Sequence, residues 1–306
     1  MYRQITVHER YTLGDLRQLG YSAAVIGGVL GRHRSTIGRE VRRNATHHDG
    51  GYRPQLADWA LVHGRLERQW SPEQVAGRLR LERRLRISHE TIYRHIWADK
   101  RLGGTLYRQL RGAQKLARTR YGQYDSRGRL AGKRPITERP ARVAARAQVG
   151  RWEVDTMLGA GQAGACVLSL VERKTGYLLI GQLRARTTAT VNHRATQLVR
   201  AQRRPVHTIT ADNGTEFHGY AAIEQATAAR FYFATPHHAW ERGTNENTNG
   251  LVRQYLPKRQ SMAHLTQRDC ETFATKLNQR PRKRLAYRTP EECYARGTPT
   301  KDPLPR

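Results

Sequence analysis

The sequence predicts an all-α N-terminal portion made of two helix-turn-helix units, followed by an α/β domain. Three observations predict it. Cap, short helix and glycine stop recur in the first hundred residues, a Gly- and Arg-rich stretch poor in large apolar residues spans 111–150, and strand and helix patterns alternate beyond Arg151. A chain of 306 residues and 35.1 kDa has length for about two domains and can bury cores without disulfide or metal staples.

The first unit, assigned to residues 1–50, begins with Thr6 and Glu9 in capping-box spacing and closes its first helix at Gly20. Ser22 caps a second helix that turns Val25, Ile26, Val29 and Leu30 inward and stops at Gly31. Ser35 caps a third helix to about Arg43, with Ile37 and Val41 toward the core. Thr36, Arg39 and Arg43 then fall on another side, free for a DNA major groove. The pattern alone also suits a basic surface helix.

The second unit, 51–110, repeats the scheme. Ser71, Pro72 and Gln74 form a capping box with proline at the first helical position, and Val75 and Leu79 face inward. Ser88 caps the following helix, with Ile92 and Ile96 buried and Thr91, Arg94 and His95 left for DNA. Glu82, Arg83, Arg84 and Arg86 read as a solvated connection without individual roles. Residues 111–150 hold 11 Lys or Arg, 5 Gly and 2 Pro, and read as a basic linker.

Beyond it, 152–158, 165–171 and 177–182 read as strands, 188–203 as helix, 207–211 as strand, 219–229 as helix, 230–234 as strand and 241–256 as helix. The order βββαβαβα fits three antiparallel strands feeding a mixed sheet flanked by helices, an arrangement compatible with the RNase H fold. A basic helix and tail end the chain at 306.

The formal charge is +30, from 55 Lys and Arg against 25 Asp and Glu, and the excess runs along the whole length. A basic tail on a neutral protein is excluded, and the partner class is polyanionic, with nucleic acid first. Arg outnumbers Lys by 47 to 8, which supplies phosphate clamps and base-edge contacts. Three cysteines, far apart and outside any ligand spacing, exclude a zinc finger or disulfide framework. With no apolar signal segment and no membrane span, the expectation is a protein of the cytoplasm, associated with the nucleoid and with no membrane partner.

In a chain so short of acids, three carboxylates fall where they could hold a metal. Asp155 interrupts the apolar strand WEVDTML, Asp212 directly follows the strand HTITA, and Glu246 lies in ERGTNENTNGLVRQY, 34 residues after Asp212. Gathered in one cleft they would repel unless a hard cation were present, which points to Mg²⁺. Singly, each reads equally well otherwise: Asp155 as a strand carboxylate bonded to backbone, Asp212 as an Asx turn begun by DNG, Glu246 as a solvated helix residue. Arg253 follows Glu246 by seven residues, two turns along the same helix face, where it could hold DNA phosphate, and Asn249 lies between them. Glu153 reads as a surface or hydrogen-bonding residue and Glu216 as support for the Asp212 loop.

Taken together, LGRHRSTIGREVRRN, VGRWEVDTMLG, TADNGTEF, WERGTNENTNGLVRQYLPK and LNQRPRKRLAYRTPEE resemble the insertion-sequence-30 family of bacterial DDE transposases over nearly the whole chain. The resemblance implies helix-turn-helix units that bind terminal inverted repeats, an RNase H-like catalytic core and an acidic triad falling on Asp155, Asp212 and Glu246. It also implies a homodimer or higher oligomer on paired DNA ends, acting on target DNA with two Mg²⁺ ions, or Mn²⁺ in their place. One departure is visible: Val154 stands where the family motif has glycine before the first acid. The competing readings are a domesticated DNA-binding regulator without catalysis and a structure-specific nuclease of the same fold.

Overall fold

The computed structural model describes residues 5–45, 54–110, 132–160, 164–236 and 238–296. The chain divides into two compact units, Met1–Leu116 and Ala117–Arg306.

The first unit opens with α1 (Val7–Gln18), α2 (Ala23–Leu30) and α3 (Arg34–Arg43). The expected capping box forms, with Glu9 N donating to Thr6 Oγ1 at 3.2 Å and Thr6 N to the Glu9 carboxylate at 2.6 Å. Ser22 caps α2, and Gly31 ends it in the left-handed region at φ 60°. Gly27 permits the tight turn that follows, since a Cβ there would lie 2.6 Å from the Arg32 carbonyl oxygen. Two expectations are corrected. The cap of α3 is His33, not Ser35, because the extended backbone at His33 lets its Nδ1 accept from Ser35 N at 3.3 Å. On α2, Ile26 is buried but Val25 and Val29 are 48% and 61% exposed. The eight-residue helix buries only a narrow stripe against Leu13 and Ile37, and Val25 and Val29 fall outside it. Arg39 and Arg43 are exposed and Thr36 half-buried.

Next come α4 (Pro54–Glu67), α5 (Pro72–Leu81) and α6 (His89–Arg101) around a core of Val62, Leu66, Val75, Leu79, Ile92 and Ile96. The Ser71–Gln74 capping box and the Ser88 cap form as expected. Helix α4 was not anticipated from the sequence, and it changes the standing of two residues. Glu82 accepts from Arg65 of α4 at 2.6 Å and from Arg78 of α5 at 2.7 Å, so it ties two helices rather than dangling in a solvated connection. His95 is not free for DNA: it stacks on Trp59 at 3.7 Å between centroids, and its Nε2 lies 2.8 Å from His63 Nε2. Arg94 is exposed, and Thr91 is half-buried with its backbone N–H given to Ser88.

The second unit is a five-stranded sheet between helical layers. After α7 (Ala141–Ala144) run β1 (Arg151–Leu158), β2 (Cys166–Glu172), β3 (Leu178–Leu183), α8 (Thr188–Arg200), β4 (Thr208–Ala211), α9 (Tyr220–Thr227), β5 (Arg230–Phe233), α10 (Gly243–Val252), α11 (Gln267–Asn278) and α12 (Pro290–Arg296). The spatial order is β3-β2-β1-β4-β5, with β1, β2 and β3 antiparallel and β4 and β5 parallel to β1 and β4. That is the RNase H-like arrangement, and the βββαβαβα order is the one expected.

Strand β2 is buried on both faces. Cys166, Leu168 and Leu170 join a core with Val191, Ala195 and Ile223 of α8 and α9, while Val167 and Val171 join another with Leu251, Val252 and Leu277 of α10 and α11. Val154 continues β1 without interruption, paired with Leu170 and buried in the first core.

Of the interval read as linker, 111–131 lies outside the described residues. From Gly132 the chain packs on the sheet instead. Arg134 pairs with Glu224, Pro135 bridges to Phe233, Arg139 donates to Thr210 Oγ1 at 3.0 Å, and Val143 is fully buried. The few apolar residues of this segment suffice because the sheet supplies the rest of the core.

Candidate active site

Parallel pairing of β1 with β4 sets Glu153 opposite Thr210, and the same register carried two residues further brings Asp155 opposite Asp212. Asp212 thus stands just past the C-terminal end of β4, where open sheets present their ligand sites, beside Asp155 in the middle of the longer β1. Asp155 lies on the face covered by α10, directly across from Ser169 of β2.

Helix α10 is docked onto that face by two asparagines. Asn245 N donates to Glu153 Oε2 at 2.8 Å, and Asn249 Nδ2 donates to Asp155 Oδ2 at 2.7 Å. Four residues of helix advance about 6 Å and two residues of strand about 6.6 Å, so the i,i+4 pair matches the i,i+2 pair. Ser169 Oγ donates to Asn249 Oδ1 at 3.0 Å, which fixes the amide with its nitrogen toward Asp155. Asn249, expected as a DNA contact, is therefore an orienting partner of Asp155 in this structure.

The other halves of both carboxylates are held by the backbone. Thr156 N donates to Asp155 Oδ1 at 3.0 Å, and Gly214 N donates to Asp212 Oδ1 at 2.9 Å, the Asx turn that DNG predicts. Arg242 lies against both acids. Its guanidinium is 3.7 Å from Asp155 Oδ1 and 3.4 Å from Asp212 Oδ2, and it donates to the Val154 carbonyl at 3.2 Å. Burial pushes the Asp155 carboxyl up to about 6; Arg242 opposes the rise and Asp212 adds to it.

Glu246 is exposed on α10. Among the described residues no group of three His, Cys, Asp or Glu side chains is arranged to hold a metal, so the structure brings two of the three expected acids together. Arg253 sits at the C-terminal end of α10, and its guanidinium donates to the Leu158 carbonyl at 2.9 Å and the Leu256 carbonyl at 3.2 Å. In this conformation it secures the end of β1 to the segment after α10.

Three residues at the site do more than the sequence announces. Arg242 follows Glu241, which reads as helix-start charge, and has no motif of its own. Glu216 is 3% exposed and accepts from Thr156 Oγ1 at 2.7 Å, with Arg186 at 3.8 Å, which makes it support for the strand that carries Asp155 as well as for the Asp212 loop. Of its two readings Glu153 takes the hydrogen-bonding one: it is fully buried and accepts from Arg173 Nε at 2.8 Å. No spacing rule reveals a buried ion pair between β1 and the turn after β2.

Among the described residues no helix is long and apolar enough to cross a membrane. A family model described as a helix-turn-helix domain matches residues 1–44. The transposase for insertion sequence element IS4351 of Bacteroides fragilis is 38% identical over 96% of each chain. The transposase for insertion sequence element IS1086 of Cupriavidus metallidurans is 35% identical over 99% of this chain and 98% of that one. The transposase InsI for insertion sequence element IS30A of Escherichia coli K12 is 34% identical over 97% and 85%. The catalytic core domain of BIV integrase aligns with 48% of this chain and 94% of its own at 17% identity, with a TM-score of 0.38. These full-length relatives favour neither the regulator nor the nuclease reading. An N-terminal helix-turn-helix unit, an RNase H-like core and sustained identity to insertion-sequence transposases establish that this chain belongs to the IS30 family of transposases.

Proposed function

We propose that this transposase cuts DNA at the ends of its element and joins the freed 3′-hydroxyl to target DNA at a divalent-cation centre formed by Asp155, Asp212 and Glu246. The observation that carries the reading is that one guanidinium, that of Arg242, lies against both Asp155 and Asp212, which the parallel pairing of β1 with β4 brings side by side. A positive charge already stands there, and the facing donors are hard carboxylate oxygens, a set that fits Mg²⁺ or Mn²⁺. Glu246 would complete the set from α10. When bound, two such ions supply activation of the attacking oxygen and neutralisation of the leaving oxygen.

The chain's own groups do the remaining work. Asn249 and the Thr156 N–H hold Asp155 in one rotamer, and the Gly214 N–H does the same for Asp212. The attacking 3′-hydroxyl releases its proton to solvent as its oxygen bonds to phosphorus, while the target's bridging P–O bond breaks and the departing oxygen takes up a proton from solvent. One phosphodiester replaces another, so joining needs no nucleotide hydrolysis. The helix-turn-helix units, 1–50 and 51–110, would read the terminal inverted repeats through Thr36, Arg39, Arg43, Thr91 and Arg94, with two or more copies bringing paired ends to the 151–306 core. Action on DNA is compatible with the cytoplasm and nucleoid.

The test is cleavage and strand transfer on paired terminal-repeat duplexes in Mg²⁺ by Asp155→Asn, Asp212→Asn and Glu246→Gln. Each is expected to lose both reactions while retaining end binding. Activity in any one of them removes that residue from the centre.

A further inference from the structure

Glu216 is the acid beside the proposed centre whose bonds leave one oxygen over. It lies in the single 3-10 turn Thr215–Phe217, just after the loop that begins at Asp212, and its side chain is 2% exposed. One oxygen is accounted for: Oε1 accepts from Thr156 Oγ1 at 2.7 Å and lies 3.8 Å from Arg186 Nη1. The other, Oε2, is buried and has no hydrogen-bond partner among the described residues. Buried carboxylate oxygens are ordinarily met by a donor or a cation, so this one points to something that meets it. Its direction is toward the acidic pair. A Cβ on residue 214 would lie 2.4 Å from Glu216 Oε2 and 2.9 Å from Asp212 Oδ1, so both oxygens border one space that Gly214 keeps open. The Gly214 N–H holds Asp212 Oδ1 at that border. Thr156, which holds the other end of the Glu216 carboxylate, directly follows Asp155 in β1.

Resting on the cation reading above, we propose that Glu216 is a positioning residue of the centre: its free oxygen accepts from water carried by a divalent cation at Asp212 and so fixes that cation's hydration shell. The water-mediated role follows from two observations. Among the described residues no group of three His, Cys, Asp or Glu side chains is arranged to hold one metal, so Glu216 does not join the two aspartates as a direct ligand. Mg²⁺ sheds water reluctantly and takes one or two carboxylates, which leaves polarised waters in need of acceptors. Charge favours the same assignment. Asp155, Asp212 and Glu216 are answered by two guanidinia, those of Arg242 and Arg186, and the excess is negative. Acceptors beyond the ligands orient what the ligands hold, as Asn249 and Ser169 already do for Asp155 itself. The bond to Thr156 then has a second purpose: it turns Oε1 toward β1 and leaves Oε2 facing Asp212.

The test is calorimetric titration of Mn²⁺ into the full chain bound to terminal-repeat duplex, comparing the wild type with Glu216→Gln, Thr156→Val and Asp212→Asn. Glu216→Gln keeps the shape of the side chain and removes its charge. It should bind the same number of ions with affinity weakened about 10- to 100-fold, the usual cost of losing a partner beyond the ligands. Thr156→Val removes the brace on Oε1 but leaves the carboxylate, and should bind Mn²⁺ with nearly wild-type affinity. Asp212→Asn should lose an ion. Wild-type affinity in Glu216→Gln, with the ion lost in Asp212→Asn, overturns the inference and leaves the cation reading standing. Wild-type binding in both variants removes the cation reading and the inference with it. Equal weakening in Thr156→Val and Glu216→Gln assigns Glu216 to bracing β1 alone and also overturns the proposal. If Glu216→Gln melts well below the wild type, Gly214→Ala decides in its place. The backbone there, at φ −61°, suits alanine, and the added Cβ enters the space between the two oxygens while every acid is kept. Weakened Mn²⁺ binding in Gly214→Ala is the expected result, and wild-type affinity overturns the proposal.

Discussion

Asn249 donates its amide to Asp155 at 2.7 Å while accepting from Ser169 at 3.0 Å, so the rotamer of the first acid is dictated from α10. Asn249→Ala would leave Asp155 with the Thr156 N–H as its remaining hydrogen-bond donor. Cleavage of terminal-repeat DNA should fall about 10- to 100-fold, the usual cost of removing a partner that orients a ligand, with end affinity unchanged. Asn249→Asp sets a second carboxylate against the first and should be worse. Equal loss of binding and cleavage in Asn249→Ala would return this residue to a DNA contact.

Burial holds the Asp155 carboxyl near 6 in the folded chain, against an ordinary value of 3.8. A raised carboxyl stabilises the fold fully below its unfolded value, and that contribution is lost as pH rises through about 6. Cation binding has the opposite slope, because it requires the ionised form. The rise in melting temperature caused by Mn²⁺ should therefore be larger at pH 7.5 than at pH 5, and Asp155→Asn should show little shift at either. A Mn²⁺ shift of equal size at both pH values would remove Asp155 from the binding group.

Arg253 spends its guanidinium on the carbonyls of Leu158 and Leu256. Arg253→Ala should lower unfolding free energy by about 0.5–1.5 kcal/mol, the usual net worth of a hydrogen bond, since water can reach the carbonyl of the exposed Leu158. Thermal melting checks this. A variant that melts normally but cleaves poorly would assign the side chain to DNA instead.

Much of this was legible in the sequence, and the parts that were not share a cause. The Thr6, Ser22, Ser71 and Ser88 caps are local, so the residues that make them also announce them. Asp155 and Asp212 are legible because each interrupts or ends an apolar strand, and strand pairing does the rest. Glu216, Arg242 and the Glu153–Arg173 pair act across 20 residues or more, where no short spacing records the contact. Arg253 shows the complementary failure: a seven-residue spacing from Glu246 says nothing of the carbonyls within its reach. The segment from Gly132 to Gly150 looks too poor in apolar residues to fold, and it folds because β5 and the sheet edge lend it a surface.

The central claim is that Asp155, Asp212 and Glu246 hold the cations of catalysis, and calorimetric titration of Mn²⁺ into the full chain bound to terminal-repeat duplex measures it most directly. The account predicts two ions per active site for the wild type, and loss of at least one in each of Asp155→Asn, Asp212→Asn and Glu246→Gln, with the duplex still bound. Wild-type stoichiometry and affinity in Asp155→Asn and Asp212→Asn would contradict it.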